Sequence, residues 1–217
     1  MIEIKNLKKF YGERTVLDIP ELIINDGEML ALAGANGSGK TTLLKILGGI
    51  IKASEGSLSV SENILYMPQN SYAFRGDLIK NILVGGADRS KALELLEKLE
   101  LSHLADKKAK SLSGGELQRL SLCRVLSKKC DVLLLDEPTS ACDAKGAELV
   151  IKAIKEYQSE SGCTVIMSTH SPMLALNASD RLIILNGGRI ESDGSPEETL
   201  ANPETQWAKS FAAGWKI

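Results

Sequence analysis

The 217-residue sequence predicts an α/β fold: a mainly parallel sheet feeding a glycine-rich loop, with a β-rich amino-terminal part and a helical insert. Three observations carry that expectation. Residues 34–42, GANGSGKTT, stand between an apolar run and residues of helical spacing. The runs 132–135 and 164–167 are continuously apolar, as strands buried on both faces are. Residues 77–128, by contrast, carry no strong strand signal.

The elements follow in order. Ile2 and Ile4, then Val16, Leu17 and Ile19, belong to short β-prone segments separated by the turn Lys9-Phe10-Tyr11-Gly12-Glu13-Arg14. Asn25-Asp26-Gly27 is a second turn. Met29–Ala33 reads as a strand, and Leu43, Leu44, Ile46 and Leu47 as a helix running to about Ile51. Residues 57–60 and Ile64–Met67 read as two further strands. In the insert, Ala92, Leu93, Leu95, Leu96 and Leu99 form a helical stripe with Glu94, Glu97 and Lys98 off it. Leu117, Leu120, Leu122 and Val125 suggest a second helix directly after 112–116, LSGGE. Beyond the two apolar strands, 182–185 and 189–190 form a hairpin about Asn186-Gly187-Gly188, and the tail from Pro196 is mainly helical. No internal repeat or low-complexity segment interrupts this order.

Bulk properties narrow the partners. A net charge of −2 provides no electrostatic footprint for nucleic acid or anionic lipid, and aromatic content of 4% leaves no evident stacking platform for single strands. No apolar run approaches the ~18 residues of a membrane span, and MIEIKNLKKF lacks the apolar core of a signal peptide. A cytoplasmic location is expected. Cys123, Cys130, Cys142 and Cys163 have no C-x-x-C spacing and read as reduced, mostly buried thiols.

Residues 34–42 fit G-x-x-x-x-G-K-[ST] in the strand–loop–helix context that motif needs. Gly34, Gly37 and Gly39 let the backbone wrap a polyphosphate with its N–H groups inward, and the following helix adds its positive dipole end. Lys40 is expected to reach the outer phosphates and the Thr41 hydroxyl to ligate Mg2+. Asp136 and Glu137 close the apolar strand 132–135. Beside such a loop, Asp136 falls near Mg2+ through water, and Glu137 can take a proton from, or orient, an attacking water. His170 ends the next apolar run, where parallel sheets hold their ligands; its imidazole can donate to a terminal phosphate. His103 has no assigned role. Gln69 lies where strand gives way to insert, and is either a Mg2+ or water ligand or a hinge polar residue. Tyr11 either stacks on a base or packs in the ordinary way.

Together these pieces closely resemble the nucleotide-binding subunit of ABC transporters, over nearly the whole chain and in the family's motif order. The resemblance implies a RecA-like phosphate-loop core with a mainly parallel sheet, an amino-terminal antiparallel β lobe, reduced because the stretch from Lys40 to Gln69 is short, and an inserted helical subdomain. One domain, 1–217, is expected, with core 1–72 and 130–217 and insert 73–129; because the chain ends at Ile217, no added regulatory domain is expected.

The resemblance makes Tyr11 the adenine-stacking aromatic, and Gly34, Ala35, Asn36, Gly37, Ser38, Gly39, Lys40, Thr41 and Thr42 the phosphate loop. It makes Gln69 the Q-loop, Ser113, Gly114 and Gly115 the heart of the signature motif, and 140–143 the D-loop. Asp136 becomes the magnesium-site aspartate, Glu137 the catalytic glutamate and His170 the switch histidine. Two such subunits, identical or paralogous, sandwich ATP and Mg2+ head to tail, the phosphate loop of one facing the signature of the other. Glu116 replaces a commoner glutamine, and Cys142 a usual leucine.

Residues 74–82 resemble the segment that docks a transmembrane permease, and 106–110 lack the acidic-glycine string of fused exporters. The expectation is an importer's ATPase subunit, peripheral on the inner face of the cell membrane, with a substrate-binding protein as a further partner and a small oxyanion such as tungstate as cargo. The competing readings are a soluble ABC ATPase acting on nucleic acid or ribosomes, and a regulatory ATP-binding module without turnover. Glu137 argues against the last.

Overall fold

The computed structural model describes residues 1–215. In chain order it forms β1 (Ile2–Tyr11), β2 (Arg14–Ile24), β3 (Met29–Ala33), α1 (Lys40–Leu47), β4 (Glu55–Ser59), β5 (Ile64–Met67), α2 (Leu78–Leu83) and α3 (Arg89–Lys98). After two short tight turns come α4 (Gly114–Leu126), β6 (Val132–Asp136), α5 (Ala144–Ser161), β7 (Thr164–Ser168), α6 (Pro172–Ala178), β8 (Arg181–Asn186), β9 (Arg189–Gly194), α7 (Pro196–Ala201) and α8 (Gln206–Gly214).

Two sheets form. The smaller has the order β2-β1-β4 and is antiparallel. The larger has the order β5-β6-β7-β3-β8-β9, parallel except for the β8–β9 hairpin. That hairpin turns in two residues, Gly187 and Gly188, both at positive φ, as the twist of antiparallel strands requires.

The strand period of two divides the core. Leu30, Leu32, Leu134 and Ile166 face α1 and the small sheet, where Leu43, Leu44 and Leu47 cover them. Ala31, Ala33, Leu133, Leu135, Val165 and Met167 face the opposite way, against α2–α6. Each buried leucine contributes about 1.5–3 kcal/mol. The carboxyl ends of β3, β5, β6 and β7 therefore open on one edge, held between two packed layers.

Three details depart from the sequence reading. The first helix stops at Leu47 rather than Ile51, because Gly48 caps it and Gly49 turns to φ 66°. Tyr11 closes strand β1, leaving only Gly12 and Glu13 in the turn. Helices α5 and α6 were not among the elements read from the sequence. Among the described residues, no helix is long and apolar enough to cross a membrane. Three of the four cysteines are buried and none is paired.

Candidate functional site

The loop from Gly34 to Gly39 leaves the end of β3 and runs into α1. Gly34 sits at φ 145°, and a Cβ there would stand 2.1 Å from the Leu185 carbonyl oxygen, so no side chain fits. Helix α1 begins at Gly39 with no side-chain cap, which leaves its first N–H groups free to face a ligand. Lys40 Nζ donates back to the carbonyls of Gly34 (2.8 Å) and Ala35 (3.2 Å), bent over the loop. Its pKa is pushed down by burial and partly restored by the Glu137 and Asp136 carboxylates.

The adjoining strand ends bring the acids. Asp136 Oδ1 accepts from Ser168 Oγ (2.6 Å) and Thr41 Oγ1 (3.0 Å), and Oδ2 accepts from the Tyr66 hydroxyl (3.2 Å). Desolvation first, and then this carboxylate, pushes the Tyr66 phenol up. Glu137 lies one residue beyond β6 in the left-handed region, φ 53°, an uncommon conformation for a residue with a Cβ. Its backbone N–H donates to Ser168 Oγ (3.0 Å) and its Oε2 accepts from the His170 N–H (3.3 Å). The residue is 5% exposed, and burial raises its pKa, with Lys40 opposing.

His170 Nε2 lies 3.2 Å from Glu137 Oε1 but off the line of a hydrogen bond, so that oxygen has no donor. Burial, and then the Lys40 charge, lowers the imidazole pKa. Ser38 Oγ is the other unpartnered buried oxygen at this site.

These groups line a cavity of about 300 Å³ with Arg14, Val16, Asn36, Gly37, Ser38, Gly39, Lys40, Thr41, Thr42, Gln69, Glu137 and His170 on its wall. Two unpartnered buried oxygens, a loop with no room for side chains, a buried ammonium and uncapped helix N–H groups fit a polyphosphate. Among the described residues, no cluster of three or more His, Cys, Asp or Glu side chains could hold a metal by itself. Thr41 and Asp136, 3.0 Å apart, fit a Mg2+ that takes its other ligands from phosphate and water.

The remaining expected residues lie elsewhere. Tyr11 is 52% exposed at the end of β1, with Lys9 Nζ 5.1 Å above its ring, and is not on the cavity wall. Gly34, Ala35 and Asp136 do not line the cavity; the first two accept from Lys40 and the third from Thr41, both of which do. Ser113, Gly114 and Gly115 start α4 and also do not line the cavity. Ser113 and Glu116 close a capping box: Glu116 Oε2 accepts from the Ser113 N–H (2.7 Å), and Ser113 Oγ accepts from the Glu116 N–H (3.4 Å). The glutamate at this position thus has a local duty that glutamine performs equally. A Cβ on Gly115 would stand 2.9 Å from the Ala141 carbonyl oxygen, so glycine lets the helix start seat against 140–143.

Sequence reasoning missed four participants. Arg14 lines the cavity near Gly37. Tyr66 and Ser168 orient Asp136. Buried Gln118 donates to the Glu137 carbonyl (2.7 Å) and accepts from the Ala141 N–H (2.7 Å), tying α4 to the turn beyond Glu137. Of these, only Arg14 left a trace in the sequence, a cation beside the first turn.

The site and fold define a phosphate-loop nucleotide-binding cassette. The ABC transporter family model matches residues 17–140, more than half of the described chain, and the chain belongs to that family. Among curated relatives, it is 35% identical to the spermidine/putrescine import ATP-binding protein PotA of Mannheimia succiniciproducens, over 97% of this chain and 62% of that protein. It is 37% identical to the tungstate uptake system ATP-binding protein TupC of Peptoclostridium acidaminophilum, over 89% of this chain and 98% of that one. The chain thus spans about three fifths of the length of PotA. Among solved structures, it superposes with TM-score 0.81 on a dimeric post-hydrolysis state of the ATP-binding cassette MJ0796 bound to ADP and Pi, at 29% identity over 90% of this chain and 99% of that one.

Proposed function

We propose that this chain is the ATP-binding and ATP-hydrolysing subunit of an ABC importer, working with a separate transmembrane permease on the cytoplasmic face of the membrane. The observation that carries this reading is the unpartnered Glu137 Oε1, buried at the cavity wall beside His170 and across from Lys40. A buried carboxylate of raised pKa with a free oxygen is a base waiting for a water.

In this reading Lys40, the loop N–H groups and Ser38 hold the phosphates, and Glu137 takes the proton of, or orients, the attacking water. His170 donates to the terminal phosphate, and Gln69 lies at the mouth where it meets metal or water. Mg2+, when bound at Thr41 and Asp136, would neutralise phosphate charge. Tyr11 stacks on adenine. Ser113, Gly114 and Gly115, absent from their own chain's cavity, complete the site of a second copy or a paralogue, an arrangement supported by the dimeric MJ0796 relative. The chain reads as one domain with core 1–72 and 130–217 and insert 73–129. Continuous apolar packing between the insert helices and the large sheet supports this. A small oxyanion such as tungstate is the inferred cargo, supported by the near full-length match to TupC; a substrate-binding protein would deliver it.

The test is a pull-down from detergent-solubilised native membranes with tagged Glu137→Gln loaded with ATP and Mg2+. Recovery of a polytopic membrane protein is the expected result. Recovery of only ribosomal or nucleic-acid partners overturns the transport reading.

A further inference from the structure

The nucleotide cavity lies at the carboxyl ends of the parallel strands; at their amino ends two cysteines come together. Cys130 stands just before β6 and Cys163 just before β7. The Thr164 N–H donates to the Asp131 carbonyl (2.9 Å), which sets the two strand starts side by side. Both cysteines belong to the apolar layer packed against α2–α6. Beside them is a cavity of about 180 Å³ with Leu126, Lys128, Tyr157 and Ser161 on its wall. The Tyr157 hydroxyl lies 3.4 Å from the Cys130 Sγ, and the Ser161 Oγ accepts from the Cys163 N–H (3.3 Å). Each cysteine is thus one contact away from a cavity that small solutes can enter.

The thiols of this chain are not equivalent. Cys123 is fully enclosed, its Sγ donates to the Leu95 carbonyl (3.5 Å), and burial pushes it up to about 12. Burial raises Cys142 as well. Cys163 moves the other way: a hydrogen bond from the Cys130 thiol holds it below the ordinary value, against the cost of burial. Cys130 is pushed up by the same contact. The more acidic sulfur is the better candidate for attack, and its neighbour is a protonated thiol within reach.

We propose that Cys163 and Cys130 form a redox-active pair that a hydroperoxide closes into an intrachain disulfide, clamping the start of β6 to the start of β7. The Cys163 thiolate attacks a peroxide oxygen; the O–O bond breaks, the departing oxygen takes up a proton, and the sulfur becomes a sulfenic acid. Cys130 loses its proton and attacks that sulfur; the S–S bond forms, the S–O bond breaks, and water leaves. With hydrogen peroxide, two thiols give one disulfide and the oxidant ends as two waters. The bridge closes the segment that carries Asp136, Glu137 and α5, and it stabilises the fold by removing freedom from the unfolded chain. In a reducing compartment such a bond is transient, and its formation reports oxidant. The inference is independent of the transport reading.

The test exposes the reduced full chain to a small excess of hydrogen peroxide, alkylates it in denaturant and maps the peptides by mass spectrometry. A disulfide joining the Cys130 and Cys163 peptides is expected, with the free thiol count falling from the four of the reduced chain to about half. The melting midpoint of the oxidised protein is expected to rise by roughly 4 °C or more, and dithiothreitol to reverse the rise. In Cys130→Ser the same dose is expected to leave a sulfenic acid on Cys163 that dimedone traps, whereas Cys163→Ser is expected to leave Cys130 reduced. The wild-type map decides the case even where a variant folds poorly. Four free thiols after treatment, oxidation confined to Cys142, or a disulfide between two chains overturns the inference. So does a Cys163 that proceeds to sulfinic acid while Cys130 stays free. A Cys130–Cys163 disulfide that leaves the melting midpoint unmoved overturns the clamp.

Discussion

Two glycine-rich segments start helices in this chain, and they use glycine for different ends. In 34–42, glycine clears space for a ligand: the loop closes over a cavity, α1 is left uncapped and the Ser38 hydroxyl faces inward unpartnered. In 112–116, glycine clears space for the chain itself: Gly115 seats against Ala141, and the helix end is satisfied by its own serine and glutamate. The first is poised for a ligand within one chain. The second is a finished structural joint whose outer face is exposed, and any ligand it meets comes from outside. The contrast teaches that a glycine motif's role is read from which polar groups around it lack partners.

The largest effect expected from breaking the first segment's surroundings is in Glu137→Gln. Turnover should fall about a hundredfold to ten-thousandfold if Glu137 is the base, measured as phosphate release at saturating ATP. The same variant carries a stability signature. Burial keeps the Glu137 pKa above its ordinary value, so from that value upward the native state binds more protons than the unfolded chain and stability falls as pH rises. Glu137→Gln should therefore melt higher than wild type at neutral pH, with the gain vanishing below about pH 4.5, the unperturbed value. A thermal melt series that shows no such convergence would contradict the burial argument.

Lys40→Ala should weaken ATP binding by roughly tenfold to a hundredfold, because one buried charged donor is lost. Equilibrium titration with a fluorescent ATP analogue reads it, and unchanged affinity would remove Lys40 from the site. Ser113→Arg sharpens the comparison from the other side. ATP affinity of the monomer should stay within about twofold, since Ser113 lies off the cavity wall, while ATP-dependent dimerisation by light scattering is lost. Weakened monomer binding would instead merge the two segments into one site. The smallest effect belongs to the cap: Glu116→Ala should cost about 0.5–1 kcal/mol in denaturant midpoint analysis, and Glu116→Gln almost nothing.

Much of this was legible in the sequence because it is local. The phosphate loop, the apolar strands ending in Asp136 and His170 and the two-glycine hairpin each announce themselves within a dozen residues. What was not legible depends on register or on distant packing. Arg14 reaches the cavity because the β1–β2 hairpin pairs it with Tyr11, a register no composition fixes. Tyr66, Gln118 and Ser168 act on residues 70, 19 and 32 positions away. The first helix was read too long because hydrophobic Ile50 and Ile51 continue its stripe past two glycines. Helix α5 went unread although its Asp143 cap, its apolar positions Val150, Ala153 and Ile154 and the closing Gly162 in the left-handed region all mark it.

Cys142 has a practical consequence. It is the partly exposed thiol in a chain whose other three cysteines are buried, and it sits in the turn that α4 touches, 3.6 Å from the Gln118 amide oxygen. Burial raises its pKa, so a maleimide should label it slowly at neutral pH and faster in mild alkali. A fluorophore or spin label can thus be attached at the seam between Glu137 and α4 without engineering the chain, and the native protein carries its own reporter for whatever approaches that face.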